Sequence, residues 1–222
     1  FLGIFVLLAG NLSATYVNQS DGFNTLSIGS DNPTGITTNG SDFWILDQTD
    51  RFIYHIDKNR NNKTDGFSTQ SASSSASIYG ITTNGSDFWI INQLARFVHH
   101  FNKTGINQSD GFHIGTLTVN SNIPYGITTN QSYFSPENDF WITDQEDRFI
   151  YHFDKNGNNK TDGFSSTNAG TGVTDPAGIT TNGSDFWVLD QNDFVYHFSK
   201  TGINQSDGFS IATAGATFSF GI

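Results

Sequence analysis

The stretch Gly35-Ile36-Thr37-Thr38-Asn39-Gly40-Ser41-Asp42-Phe43-Trp44-Ile45-Leu46-Asp47 decides how the chain folds, because its parts return three more times. Gly-Ile-Thr-Thr-Asn starts again at Gly80, Gly126 and Gly178, at intervals of 45, 46 and 52 residues. Each copy leads into Asp-Phe-Trp and then into an aromatic run containing His. A period in this range marks a repeat architecture: one small unit cannot bury its apolar face alone, so copies stack.

Each copy reads as four short strands. Strand a is Ile36–Thr38, with copies at Ile81, Ile127 and Ile179. Asn-Gly turns follow at Asn39, Asn84 and Asn182, and Asn-Gly between apolar runs is a strong hairpin signal because both residues tolerate positive φ. In copy three the turn becomes Asn130-Gln131 and carries an insertion, Tyr133–Asn138. Strand b is Asp42–Asp47, with copies from Asp87, Asp139 and Asp185; strand c is Arg51–Asp57, with copies from Arg96, Arg148 and Phe194. Both are rich in aromatic and β-branched residues, which suit a pleated buried surface. Strand d begins at Asp-Gly-Phe, at Asp65, Asp110, Asp162 and Asp207. No sustained 3.6-residue apolar period runs through the chain, so it reads as all-β.

Four antiparallel strands every ~45 residues fit a propeller blade. The expected fold is a four-bladed β-propeller of four-stranded repeats over residues 17–222, with blades at about 35–79, 80–125, 126–177 and 178–222. An extra N-terminal apolar segment, 1–16, and an extra strand precede it. The pattern Gly-Ile-Thr-Thr-Asn-Gly-Ser-Asp-Phe-Trp-Ile-Leu-Asp-Gln, then Phe-Ile-Tyr-His-Ile-Asp-Lys-Asn, resembles blades of NHL-like and streptogramin-lyase-like propellers. That resemblance implies the architecture over about residues 17–222. It implies no catalytic site that can be placed on this chain.

The copies alternate. One and three share Asn-Asn-Lys-Thr-Asp-Gly-Phe, from Asn61 and Asn158; two and four share Lys-Thr-Gly-Ile-Asn-Gln-Ser-Asp-Gly-Phe, from Lys103 and Lys200. This order suggests a duplicated two-blade unit and a closed ring of four. A remainder is left over. Asp-Gly-Phe occurs a fifth time at Asp21-Gly22-Phe23, and Gly221-Ile222 looks like the start of another strand a. Either the N-terminal d strand completes the last blade, displacing Phe209–Ile222, or one end pairs with a neighbouring molecule.

Composition narrows the function. Charged residues are 14% of the chain, against about 25% in ordinary soluble domains, while Phe alone contributes 21 residues. The polar surface is therefore largely Asn, Ser, Thr and Gly. A net charge of −11 with ten scattered Lys and Arg argues against a nucleic-acid partner, since phosphate binding needs clustered cations. Without cysteine there is no disulfide framework and no thiolate metal site.

Eleven Asn-x-Ser/Thr sequons are present. Asn39, Asn84, Asn130 and Asn182 fall at a–b turns; Asn62, Asn107, Asn159 and Asn204 fall at c–d turns; Asn11, Asn18 and Asn102 complete the set. Asn and Ser also form turns for their own sake. Against pure turn chemistry, the triplet persists where its residues differ, as Asn-Lys-Thr at 62 and 159 and Asn-Gln-Ser at 107 and 204. N-linked glycans there would hydrate a surface short of charge. A second candidate is a pair of calcium loops. Asp57, Asn59, Asn61 and Asp65 offer oxygens at positions 1, 3, 5 and 9, and Asp154, Asn156, Asn158 and Asp162 repeat them. Hard cations favour such oxygen sets, but position 6 is Asn62 or Asn159 rather than Gly. The alternative is a plain hairpin whose Asp and Asn cap their own backbone.

The aligned His55, His100, His152 and His197 lie in separate blades, which suits inter-blade packing rather than one metal; His99 and His113 lack counterparts. Trp44, Trp89, Trp141 and Trp187 recur in strand b and read as inter-blade core. Asp47, Asp144 and Asp190, with Asn92 in copy two, are expected to cap the turn into strand c. No carboxylate pair breaks the repeat, as an acid/base site would, so the chain is read as no enzyme.

Phe1–Gly10 is nearly all apolar, at odd and even positions alike. Ten residues are too few for a transmembrane helix, which needs about 20. The segment resembles the end of a secretory h-region. If retained, Phe1, Leu2, Ile4, Phe5, Val6, Leu7 and Leu8 form a strand fit to be covered on both faces, as when it adds to another molecule's sheet. The expected function is a structural, N-glycosylated subunit of an extracellular or cell-surface filament whose partners are copies of itself. The alternative is a secreted propeller that binds a carbohydrate or protein.

Overall fold

The computed structural model describes residues 22–72, 77–115, 122–130, 139–167, 172–212 and 221. Four antiparallel four-stranded sheets lie among them, each with its strands in chain order. Blade one holds β1 (Pro33–Thr38), β2 (Asp42–Asp47), β3 (Phe52–Asp57) and β4 (Asn62–Ser68). Blade two holds β5 (Ile78–Thr83), β6 (Asp87–Asn92), β7 (Phe97–Asn102) and β8 (Phe112–His113). Blade three holds β9 (Pro124–Thr129), β10 (Phe140–Asp144), β11 (Phe149–Phe153) and β12 (Phe164–Ser165). Blade four holds β13 (Pro176–Thr181), β14 (Asp185–Asp190), β15 (Phe194–Ser199) and β16 (Phe209–Ser210). The inner strands β1, β5, β9 and β13 pack side by side in that order. This is a four-bladed β-propeller.

Strand pleating gives every blade two apolar faces. On blade one, Trp44, Leu46, Ile53 and Phe67 point forward, and Phe43, Ile45 and Ile56 point back. The forward face packs against Ile81, Phe88, Ile90 and Phe101 of blade two. Blade two repeats this with Trp89, Ile91, Val98 and Phe112 against Ile127, Phe140, Ile142 and Phe153 of blade three. Trp141, Ile150 and Phe164 then meet Ile179, Phe186, Val188 and Phe198 of blade four. Fully burying each such side chain contributes about 1.5–3 kcal/mol, so the inter-blade seams carry the stability that single blades lack.

Two sequence signatures acquire reasons. A Cβ on Gly126 would stand 2.3 Å from Ala177 O, and one on Gly80 would stand 2.4 Å from Tyr125 O. The inner strands thus meet backbone to backbone, and the Gly before each strand-a Ile is a packing requirement. Asp47, Asp144 and Asp190 are fully buried. Asp47 Oδ2 accepts from Ser30 Oγ at 2.7 Å and from Asn32 N at 2.9 Å, while Oδ1 accepts from Asp50 N at 2.8 Å. Each carboxylate therefore ties the loop entering strand a to the b–c turn; Asp144 bonds Ile123 N and Asp147 N, and Asp190 bonds Thr174 N, Asp175 N and Asn192 N.

The expected closure of the fourth blade on the first is corrected. β13 and β1 do not pack as successive inner strands do. Gly221 stands against β1 instead, so that a Cβ built on it would lie 3.0 Å from Gly35 Cα. Nor does the N-terminal Asp-Gly-Phe complete the last blade. β16 fills that place, pairing Phe209 with Val195, while Phe23 packs on the back face of blade one ahead of a 3-10 turn, Thr25–Ile28.

Candidate functional site

The axis opens at two mouths. At the a–b turns a cavity of about 290 Å3 is lined by Ile36, Ile81, Ile127 and Ile179 and by the threonines that follow them. Strand alternation alone places these side chains, since they lie on the inner strand of each blade. Three of the threonines staple turns. Thr38 Oγ1 donates to Asp42 O at 2.8 Å and accepts from Gly40 N at 2.9 Å; Thr83 and Thr181 repeat both bonds. Thr129, which precedes the altered turn of copy three, is fully buried and its hydroxyl has no hydrogen-bond partner among the described residues. The opposite mouth narrows to about 10 Å3 among Gly35, Gly80, Gly126, Gly178 and Gly221.

The aligned histidines form a repeated clamp. His55 Nδ1 lies 2.6 Å from Asp65 Oδ1 and Nε2 lies 3.1 Å from Asp42 Oδ2, while the ring stacks on Trp44, its cross-strand partner, at 4.5 Å. His100, His152 and His197 make the same Nδ1 contact with Asp110, Asp162 and Asp207 and the same stack on Trp89, Trp141 and Trp187. Their Nε2 atoms face Asp87, Asp139 and Asp185 at 3.6, 3.3 and 3.7 Å. The Nδ1 contact and the Trp stack tie strand c to its neighbours in all four blades; Nε2 is hydrogen-bonded in His55, while in His100, His152 and His197 it is buried with no hydrogen-bond partner among the described residues. In blades one and three Lys63 and Lys160 join Asp42 and Asp139 at 3.0 and 2.9 Å. The Lys63 hydrogen bond, foremost, holds the Asp42 carboxyl below its usual range.

The candidate cation loops are bound up in the same work. Asp57 Oδ1 accepts from Asn59 N at 2.8 Å and Asn61 N at 2.9 Å, and Oδ2 from Asn61 Nδ2 at 2.9 Å. Asp154 repeats all three with Asn156 and Asn158. These bonds, Asn61's side chain foremost, lower the pKa of Asp57; at Asp154 they outweigh burial and lower it too. Asp65 and Asp162 are the partners of His55 and His152. Carboxylates so engaged close a turn by hydrogen bonds.

The sequons divide by environment. Asn39, Asn84 and Asn182 are exposed; each Oδ1 accepts from the next two amides, as Asn39 does from Ser41 N and Asp42 N, both at 2.9 Å, and Nδ2 makes no hydrogen bond. Asn62 and Asn107 differ, because their Nδ2 atoms donate to Ile28 O at 3.2 Å and Ser71 O at 3.3 Å of the preceding segment. Asn102 accepts from Thr104 N and Ile106 N within its own turn, and Asn159 and Asn204 accept from Thr161 N and Ser206 N. Asn130 is half-buried at the edge of the copy-three turn. Asn11, Asn18, the apolar run Phe1–Leu8 and the insertion Tyr133–Asn138 lie outside the described residues.

One polar aromatic pair went unnoticed in the sequence. Tyr79 and Tyr125 sit just before the axial Gly of copies two and three, with ring centroids 4.5 Å apart, where copies one and four place Thr34 and Ala177. Burial, foremost, raises the pKa of Tyr125. That departure from the repeat was the available signal. Among the described residues no three His, Asp or Glu side chains group to hold a metal, and no helix is long and apolar enough to cross a membrane.

No protein-family model matches the chain, and no curated protein matches it by sequence. Solved structures do match. A streptogramin B lyase is 21% identical with a TM-score of 0.53, covering 86% of this chain and 58% of its own. Virginiamycin B lyase from Staphylococcus aureus is 20% identical with a TM-score of 0.51, covering 82% of this chain and 56% of its own. A chain of a nidogen/laminin complex is 15% identical with a TM-score of 0.58, covering 86% and 68%. The chain thus spans a little over half the length of the two lyases. These likenesses concern the fold, and with the repeat they place the chain among β-propeller repeat proteins.

Proposed function

We propose that this β-propeller repeat protein is a non-catalytic structural subunit of an extracellular or cell-surface assembly, N-glycosylated and joined to copies of itself through its apolar N-terminal segment. The observation that carries the reading is the trio of exposed a–b turns. Asn39, Asn84 and Asn182 hold their Oδ1 atoms inward on the turn and leave Nδ2, the atom that takes a sugar, unbonded. The turns surround the wider mouth of the axis, so sugars on them would coat one face. The recurrence of the His–Asp contact and the Trp stack in all four blades supports a structural role, since a catalytic centre would single out one blade.

The test is glycopeptide mass spectrometry on the protein from its native source. Asn39, Asn84 and Asn182 are expected to carry glycan, at higher occupancy than Asn62 and Asn107, whose Nδ2 atoms are already bonded. Bare asparagines at all three a–b turns would remove the reading. Electron microscopy of the same material separates the assembly from the second reading, a ligand-binding propeller. Fibres are expected from the first and discrete particles from the second. The second is favoured by the 290 Å3 mouth, where the half-buried Thr37 and Thr180 line the cavity as hydrogen-bonding groups for a carbohydrate or a peptide.

A further inference from the structure

We infer that the ring holds a fifth blade position, beside Gly221, whose two middle strands are a β-hairpin of the chain's own repeat type. The inference goes beyond the proposed function, since a binding propeller would need the same completion.

Four observations converge. First, there are two strand-d phenylalanines where one blade has room for one. Phe209 belongs to β16 of blade four, while Phe23 packs on the back face of blade one with Ile28, Ile36 and Ile45. That is the place taken on later blades by the preceding blade's Phe67, Phe112 and Phe164. Phe23 therefore ends a blade that is neither one nor four. Second, Gly221 completes a ring of five glycines around the narrow mouth and meets Gly35 backbone to backbone, as Gly80 meets Gly126. It occupies the inner-strand position of that same blade. Third, Asn62 Nδ2 donates to Ile28 O as Asn107 Nδ2 donates to Ser71 O. The segment around Ile28 thus stands to blade one as the end of blade one stands to blade two.

Fourth, the seam at this position is incomplete. Phe43 and Ile36 are half-buried, whereas their counterparts Phe88, Phe140 and Phe186 are 3%, 1% and 2% exposed, and Ile81, Ile127 and Ile179 are 4%, 3% and 2% exposed. A cavity of about 190 Å3 lies there between Gly221, Thr25, Pro33 and Ile36. On the other side Trp187 stacks on His197 but meets no further aromatic ring among the described residues, where Trp44, Trp89 and Trp141 each meet the next blade's Phe. Between an inner strand a and an outer strand d, a blade of this protein holds one thing, a b–c hairpin. Its chemistry follows from Asp21. In all four blades the Asp of Asp-Gly-Phe binds a strand-c His stacked on a strand-b Trp. The hairpin therefore carries Asp-Phe-Trp followed by Phe-x-Tyr-His.

The test appends a copy of Thr37–Asp57 directly after Ile222 and compares melting of the extended and 222-residue chains. The extension is expected to raise Tm by roughly 10 °C, the scale of a seam of buried aromatic side chains. Asp21→Asn is expected to take back roughly 3 °C of that gain while leaving the 222-residue chain unmoved. Should the extended chain prove insoluble, the same 21-residue segment is added as a free peptide, and amide protection in β1 and β2 is expected to rise. An unchanged Tm, an Asp21→Asn cost equal in both chains, or peptide that leaves protection unaltered would overturn the inference.

Discussion

His99 stands where blades one, three and four carry Tyr54, Tyr151 and Tyr196, opposite Ile90 in the β6–β7 register. The tyrosines of blades one and three earn their place: Tyr54 and Tyr151 donate to Asp50 and Asp147, each at 2.7 Å, and Asp50 foremost pushes the Tyr54 pKa up to about 12. Blade two has Ala95 where Asp50 would be, so its ring has lost that partner. His99 is half-buried with Nε2 unbonded, near His113, and burial foremost pulls its pKa below the usual 6.5. The fold thus keeps it neutral. Above about pH 6.5 both folded and unfolded chains carry neutral His and nothing is lost. As pH falls below that, the unfolded chain takes up the proton first, and stability drains away until the folded pKa is passed. Melting followed from pH 7.5 to 5 is expected to show this loss, and His99→Tyr is expected to flatten it; equal pH slopes in the two proteins would refute the assignment. The sequence showed His99 as an oddity of copy two. It could not show the burial, because the ring's surroundings come partly from another strand: Phe97, which meets His99 within β7, is itself capped by His113 of β8.

At the scale of the element, a buried Asp anchors the b–c turn of blades one, three and four, Asp47 in the first. Burial raises its pKa, but hydrogen bonds from Asp50 N, Asn32 N and Ser30 Oγ outweigh burial and lower it. Its stabilisation is therefore present above the ordinary carboxyl range and lost as pH falls through the depressed folded value. Asp47→Ala would leave two backbone N–H groups unpaired and is expected to cost about 3 kcal/mol by urea denaturation. Asp47→Asn is expected to cost clearly less, since Asn92 fills the same place in blade two and accepts from Ala95 N at 3.1 Å. Equal losses for the two variants would show that the side chain acts through packing instead. Strand b was legible to the residue in blades one, two and four, because Asp opens it and Asp or Asn closes it; in blade three it starts at Phe140, one residue later than read. Strand c was read one residue early: Arg51, Arg96 and Arg148 take φ of 50°, 50° and 52° and belong to the turn. Strand d was legible as a place and not as a length. β4 spans seven residues, whereas β8, β12 and β16 span two, and upstream of them strand c keeps only single bridges, Phe101 to Asn107, Phe153 to Asn159 and Phe198 to Asn204.

Over the whole molecule, stability should run unevenly round the ring, because blades cover one another and the coverage is not cyclic. Blades two and three have a blade on either side, with Ile90 and Ile142 fully buried. Blade one has a blade ahead of it but, among the described residues, no sheet against its back, where the Phe23–Gly29 segment and Gly221 stand. In a stack held by nearest-neighbour seams, the unit with one complete seam opens first. The repeat period made the four blades legible, since it is a property of the sequence alone. Closure was not legible, because it depends on how much each blade turns about the axis, and that angle is set by seams built from residues some 45 positions apart. Gly221 and Phe23 announced themselves only as leftovers of the count. Native-state hydrogen exchange reads the difference directly. Amides of β1 and β2 are expected to exchange at least tenfold faster than those of β9 and β10, a gap of about 1.4 kcal/mol in opening free energy. Uniform protection in all four blades would mean that the ring opens as one cooperative body, with the seam behind blade one as strong as the others.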